Sequence, residues 1–441
     1  MKINSSYGVE IRKAGGGLSI TLKIYREAVR VLSLFYDTVW EELSAVEGKM
    51  RRFNFAEHLV HSTKKNRAVH DFDMRFPKMP SYLRRSAITH ALGVVASYRT
   101  RLAQWEEGGR KGKAPVLGER THAMPVFYRG DMYREGEGDT ACLKLYNGKD
   151  WVWVKAVLLH TDAEYLRKHW TGVKASAPTL EKRHRKYFLR FTYEEKREFD
   201  DKPVKEQRIC AVDLGLNSDA VCSIMEADGT VSARKFIDFA DEKDRLWKTL
   251  NRIRKRDREH GPKSAGSLWR YAVRCSAELS KKTAAAIVFF AQENHADVIV
   301  FEHLDMKGKI RGKRRMRLHM WKKRGVQETS AHMAHRKGMR IARVCAWKTS
   351  ALAYDGSGKV ERDPDNHSLC TFTNGKRYNC DLSASYNIGA RYFIRELTKP
   401  MPATAWSVLE AEVPAVRRRS SCVLADLVRL NEAMRENGWT A

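Results

Sequence analysis

The spacing of apolar positions changes period within the first 44 residues. Leu18, Ile20, Leu22 and Ile24 alternate with polar neighbours and predict a strand after the turn at Gly15–Gly17. From there the spacing becomes helical through Ala28, Leu32, Phe35, Val39 and Leu43. A second helix is predicted over 84–106, carrying Ile88, Leu92, Val95, Leu102 and Trp105. GGRKGKAP at 108–115 breaks the pattern, and short runs rich in β-branched and aromatic residues follow: MPVFYRG, ACLKLYNG, DWVWVKAVLL and HRKYFLRFTYEE. One strand, a helical insertion, then several strands predict a small β-barrel interrupted by a helical lobe.

The second half has a different pattern. After a polar joint, DKPVKEQR, an apolar strand runs into Asp213 and turns at Gly215 into a second strand. FADEKDRLWKTLNRIRKRDREHG and LWRYAVRCSAELSKKTAAAIVFFAQENH predict a helical hairpin. Val298–Phe301 is a continuous apolar run, a strand buried on both faces, with Glu302 at its C-terminal end. Asp381 opens a segment in which Leu382, Tyr386, Ile388, Tyr392 and Phe393 suit an amphipathic helix. TKPMPATAW reads as a linker and SSCVLADLVRLNEAMREN as a terminal helix capped by Ser420 or Ser421, of unassigned function: a solvated tail is the preferred reading, a docking or dimerisation segment the alternative.

Composition changes the picture through charge. A net charge of +29 on 441 residues predicts a polyanionic partner, with affinity that falls as salt rises. Eleven tryptophans and an ordinary apolar fraction imply packed cores, against a histone-like tail binder. Basic residues gather on the helical lobe, Arg84 and Arg85 among them, and in the tract 307–325. Lys309, Arg311, Lys313, Arg314, Arg315, Lys322 and Lys323 of that tract are candidate nucleic-acid contacts. Trp151, Trp153 and Tyr187 could stack on bases, although burial in the barrel core is the commoner fate of strand aromatics. No apolar run approaches a membrane span and the N-terminus lacks a signal-peptide core, so a cytoplasmic protein of the prokaryotic nucleoid is expected, with no membrane partner. The eight cysteines are scattered without a C-x-x-C, which predicts reduced packing thiols.

Asp213, Glu302 and Asp381 are the candidate catalytic residues. Carboxylates gathered at strand ends form an all-oxygen site suited to Mg²⁺ or Mn²⁺, and two such ions can drive phosphodiester hydrolysis. The wording around them, AVDLGLN, FEHL and DLSASYNI, resembles the RuvC-like nuclease domain of the TnpB family, transposon-encoded RNA-guided DNA endonucleases, and of the compact type V CRISPR effectors. The resemblance is good over 206–397 and mostly architectural before that.

It implies an α/β, RNase H-like (RuvC-like) nuclease domain over 206–397 in the C-terminal half. It further implies an N-terminal β-barrel, with its first strand within 1–24 and the remainder within 116–205. A helical recognition lobe at 25–115 interrupts that barrel; residues 398–441, the linker and helix, extend past the usual end of the family. The implied partners are guide RNA and target DNA, and the implied ligands are two Mg²⁺ or Mn²⁺ ions on the three acids. A CRISPR effector, an RNA-guided repressor without cleavage and a guide-independent resolvase remain as alternatives; oligomeric state is open.

The sequence departs from the family in one region. The four-cysteine zinc ribbon expected between the second and third acids, at 345–380, is degenerate. Its ligand positions fall on Ala353, Gly356, Thr371 and Asn374, none of which supplies a thiolate or imidazole. Structural zinc is therefore not expected, and packing of Leu352, Tyr354, Leu369, Phe372 and Tyr378 is expected to hold the hairpin instead.

Overall fold

The computed structural model describes residues 1–64, 67–70, 72–118, 122–199, 202–215, 218–261, 264–303, 320 and 323–439. The chain divides into two compact units, residues 2–195 and residues 196–441 with Met1.

The first unit begins with strand β1, Lys2–Ala14, followed by helices α1 (Leu18–Thr38), α2 (Trp40–Ala45), α3 (Lys49–Val60), α4 (Phe72–Arg75) and α5 (Ser81–Glu107). Strands β2 (Tyr133–Glu135), β3 (Thr140–Tyr146) and β4 (Trp151–Leu158) come next, then α6 (His160–Trp170), β5 (Thr179–Arg183) and β6 (Lys186–Lys196). The strand expected at 18–24 is instead the first turns of α1. Leu22, Tyr25, Val29, Leu32 and Tyr36 are buried at helical spacing, whereas Ile20, which the alternation would bury, is 43% exposed. Four alternating residues are too short a window to outweigh a 3.6-residue period that continues for four turns. The first strand lies earlier, in KINSSYGVEIRKA.

The six strands order as β2-β3-β4-β1-β6-β5, so the first strand is internal and the helices are inserted after it. Single bridges, Val126 to Thr179 and Arg129 to Tyr133, bring the edges toward one another without a continuous ladder among the described residues. The expected barrel is an open half-barrel. A single core joins the inner faces of the sheet and helices through Val9, Tyr25, Leu32, Ile88, Leu143 and Leu189.

The second unit holds strands β7 (Ile209–Asp213), β8 (Ala220–Met225) and β9 (Val231–Ile237). Helices α7 (Ala240–His260) and α8 (Gly266–Glu293) follow, then β10 (Val298–His303), α9 (Lys323–Arg336) and β11 (Arg340–Cys345). A small sheet of β12 (Glu361–Arg362), β13 (Leu369–Thr371) and β14 (Arg377–Asn379) leads into α10 (Cys380–Thr398), α11 (Ala403–Glu412) and α12 (Leu424–Glu436). The main sheet orders β11-β10-β7-β8-β9. β7, β8 and β9 form an antiparallel meander, and β10 runs parallel to both β7 and β11.

This sheet is buried on both faces, and residue parity assigns each side. Cys210, Val212, Ile299 and Phe301 pack with Ala284, Ile287 and Val288 of α8 and Ala334 of α9. Ile209, Ala211, Val298 and Val300 pack with Ile388, Phe393 and Leu397 of α10. α10 comes close to the strands because it carries Gly389 there: a β-carbon would lie 2.7 Å from Met225 Sδ and 3.3 Å from Ala211 Cβ.

The C-terminal segment is part of this core and not a solvated tail. Leu427, Leu430 and Met434 of α12 are buried with Leu409 of α11 in the same cluster as α10. The helix is not capped by Ser420 or Ser421, which belong to a 3-10 turn at Pro414–Ser421. Asp426 accepts instead from the Val423 amide at 2.9 Å.

Candidate active site

Side chains of a strand alternate between faces, so Asp213 follows Ile209 and Ala211 onto the α10 face of the sheet, and Glu302 follows Val298 and Val300 onto that same face. Register aligns them lengthwise. Phe301 stands opposite Val212, which sets Glu302 and Asp213 one step further along adjacent parallel strands. Each is 8% exposed. Asp381 sits in the first turn of α10, whose start is capped by Asn379 accepting from the Leu382 amide at 2.9 Å. Its Oδ2 lies 3.8 Å from where a β-carbon on Gly215 would be, in the loop just after Asp213. The three acids therefore lie toward the same end of the sheet. Gly215 could not carry a side chain, since that β-carbon would also be 2.7 Å from the Ser218 carbonyl oxygen.

Burial raises the Asp381 carboxyl above the usual carboxylate range, partly offset by the positive charge of Arg362. Glu302 accepts a hydrogen bond from the Thr349 hydroxyl. Thr349 is in turn held by α10: Asn387 Nδ2 donates to the Thr349 and Leu352 carbonyls, both at 2.9 Å. Arg391, one turn further on, donates to the Cys345 and Trp347 carbonyls at 2.7 and 2.9 Å and to the Cys422 carbonyl at 3.0 Å. It is 2% exposed, and burial lowers its pKa. The helix that presents Asp381 thus also fixes the segment that orients Glu302.

In kind, three carboxylates suit a hard divalent cation. As their side chains stand, no three His, Cys, Asp or Glu residues among those described form a group that could hold a metal ion.

Sequence reasoning did not single out Thr349, Asn387 and Arg391 as site residues. Asn387 belongs to the motif DLSASYNI, and Thr349 opens a Thr-Ser pair, Thr349–Ser350, just before the degenerate ribbon position Ala353, so both had a signal. Arg391 had none, because its role depends on three carbonyls distant in sequence.

Where the ribbon would be, Ala353 is fully buried and Gly356 turns with φ +78°. Thr371 ends β13, and Asn374 donates to Asp355 at 3.0 Å. Ala353, Cys370, Phe372 and Cys380 form a small core with Tyr354, Val360 and Tyr378.

The candidate nucleic-acid residues divide. Lys309, Arg311, Lys313, Arg314, Arg315 and Lys322 lie outside the described residues, and Lys323 begins α9. Arg84 is buried, facing Asp73 at 3.5 Å and Glu57 at 3.7 Å, an internal pairing and not a presented cation. Arg85 is exposed and lies 5.1 Å over the Phe53 ring. Trp151 is in the core and Tyr187 is half-buried, but Trp153 is 37% exposed under the Arg134 guanidinium at 4.1 Å.

Comparison with known proteins yields two kinds of likeness. The Aq_aa04 family model matches residues 5–147. No curated protein matches the chain. Among solved structures, that of the mini-RNA-guided endonuclease CRISPR-Cas_phi3 superposes with a TM-score of 0.52 at 12% identity, covering 91% of this chain and 93% of that one. A Cas12f1–sgRNA–target DNA complex gives 0.49 at 12% identity, over 76% of this chain and 73% of that one. The chain is similar to the first in fold along nearly its whole length, a mixed α/β architecture. No helix among the described residues is long and apolar enough to cross a membrane.

Proposed function

We propose that this chain is an RNA-guided DNA endonuclease that hydrolyses phosphodiester bonds at Asp213, Glu302 and Asp381. The observation that carries the reading is the placement of those three acids toward one end of a five-stranded sheet, three antiparallel strands then two parallel, an order that supports an RNase H-like domain. The fold shared with a mini-RNA-guided endonuclease, and the net charge of +29, support guide RNA and target DNA as partners. The motifs around the acids support a TnpB-like, transposon-associated enzyme, with a compact type V CRISPR effector as the near alternative.

Asp213, Glu302 and Asp381 would hold Mg²⁺ or Mn²⁺, which when bound supply an activated water and stabilise the leaving oxygen. The chain's own part is positional. Parallel pairing of β7 and β10 sets two carboxylates side by side, α10 brings the third, and Thr349 fixes the rotamer of Glu302. Guided binding without cleavage is the competing reading, and the presence of all three acids argues against it. Sequencing the RNA that co-purifies with the chain tests the guided part. A defined scaffold joined to a variable end is expected; random cellular RNA would reduce the protein to a nonspecific basic binder.

A further inference from the structure

Helix α5 carries Arg85, Thr89, Leu92, Gly93 and Ala96 along one stripe, at the i, i+3, i+4 spacing that puts residues on one face. The stripe floors a groove of about 810 Å³, walled by residues of α2 and α3 and by Tyr128. Two features set it apart from an ordinary surface cleft. Its walls are aromatic: Tyr82 is 41% and Tyr128 37% exposed, with ring centroids 5.1 Å apart, and half-buried Phe53 of α3 also lines it. Its lining charge is of one sign, since Lys49, Arg52 and Arg85 line it and no lining residue is acidic, although Arg85 also faces Glu57 at 3.6 Å. Arg52 is held by the Ser44 and Val46 carbonyls at 3.3 and 3.1 Å, contacts that leave its charge uncompensated.

We infer that this groove takes an unstacked nucleobase of a single-stranded nucleic acid, with the flanking phosphates on Lys49, Arg52 and Arg85. Aromatic faces that remain exposed beside cations match a base and its backbone: every base has a π-face, and every nucleotide carries a phosphate. An apolar protein segment would satisfy the rings and leave Lys49 and Arg52 without acidic partners. The floor leaves room for an occupant. A β-carbon on Gly93 would meet nothing within 4 Å, so the glycine leaves open space at the middle of the groove. The groove lies wholly within the 5–147 segment matched by the Aq_aa04 model and within the first unit, remote in sequence from the three acids. The inference rests on the nucleic-acid-binding part of the proposed function and does not depend on cleavage.

The test is photocrosslinking of the full chain to short single-stranded RNA and DNA oligonucleotides carrying 5-iodouracil, with the adduct mapped by mass spectrometry. Adducts at Tyr82, Tyr128 or Phe53 are expected, and the stronger of the two arms names the nucleic acid. Gly93→Leu, which suits a helix and fills the open space, should reduce those adducts about tenfold without lowering Tm. Tyr82→Ala combined with Tyr128→Ala should weaken oligonucleotide affinity by about tenfold or more. Adducts only elsewhere, or undiminished in Gly93→Leu, would overturn the inference and leave the proposed function standing. Anilinonaphthalene sulfonate held in the groove and not displaced by either oligonucleotide would also overturn it, in favour of an apolar protein segment. No binding of either oligonucleotide would overturn both the inference and the functional reading.

Discussion

Glu302 and Asp213 stand one step beyond Phe301 and Val212, the last residues paired between two parallel strands, and on the same face of the sheet. Two carboxylates side by side, each 8% exposed, are costly for a fold unless something gains from their charge. Under the proposed function, that gain is the binding of a cation opposite the helix that carries Asp381.

Thr349 holds one of the three, so its hydroxyl is expected to matter for turnover and not for binding. Thr349→Val should lower the cleavage rate about 10–100-fold, the usual effect of losing a partner that orients a metal ligand. Thr349→Ser should restore most of it, and nucleic-acid affinity should be unchanged in both. Equal rates in wild type and Thr349→Val would remove this residue from the site.

Asp381 should show a trade between stability and function. Its pKa is raised by burial, so the folded state binds this proton more tightly than the unfolded state does. The protonated form therefore favours folding below the ordinary value of 3.8, and that advantage is lost as pH rises through the higher folded value. At neutral pH the buried charge is a cost. Asp381→Asn should raise Tm at pH 7, lose the advantage below about pH 3.8 and abolish cleavage. A lower Tm at pH 7 would contradict the assignment of burial as the dominant influence.

Close packing of α10 on the sheet depends on a missing side chain. Gly389→Val should cost about 1–3 kcal/mol, because Met225 can move aside but the Ala211 β-carbon cannot. Denaturant unfolding monitored by circular dichroism reads the change.

The C-terminal helix gives a paired measurement. Leu430→Ala should destabilise the protein by about 2–5 kcal/mol, as loss of a fully buried leucine does. Glu432→Ala, two residues away on the exposed face, should stay within about 0.5 kcal/mol. Equal small effects would return α12 to the status of a tail.

The sequence made the second unit more legible than the first. Val298–Phe301 reads as a strand buried on both faces because four consecutive apolar residues admit little else, and the structure packs them alternately into two cores. The helical hairpin between β9 and β10 was visible through its long 3.6 period. The first strand was not, because Ser, Glu and Gly interrupt its alternation while Leu18–Ile24 imitates a strand for four positions. The tail was misjudged for a related reason: Leu427, Leu430 and Met434 make a narrow stripe, and only the presence of α10 shows what it covers. At the site, the acids could be found by local motif. The polar ladder of Asn387 and Arg391 could not be found that way, because its acceptors are backbone carbonyls that composition does not mark.

The central claim is tested most directly by cleavage of a target DNA matched to the co-purified RNA, in Mg²⁺, by wild type and by Asp213→Ala, Glu302→Ala and Asp381→Ala. The account predicts that wild type cuts the matched target. Each single variant should bind that target with unchanged affinity and cut it at a rate lower by at least about a thousandfold, since each removes a carboxylate from the cation site. Wild-type cleavage rates in any one of the three variants would contradict it.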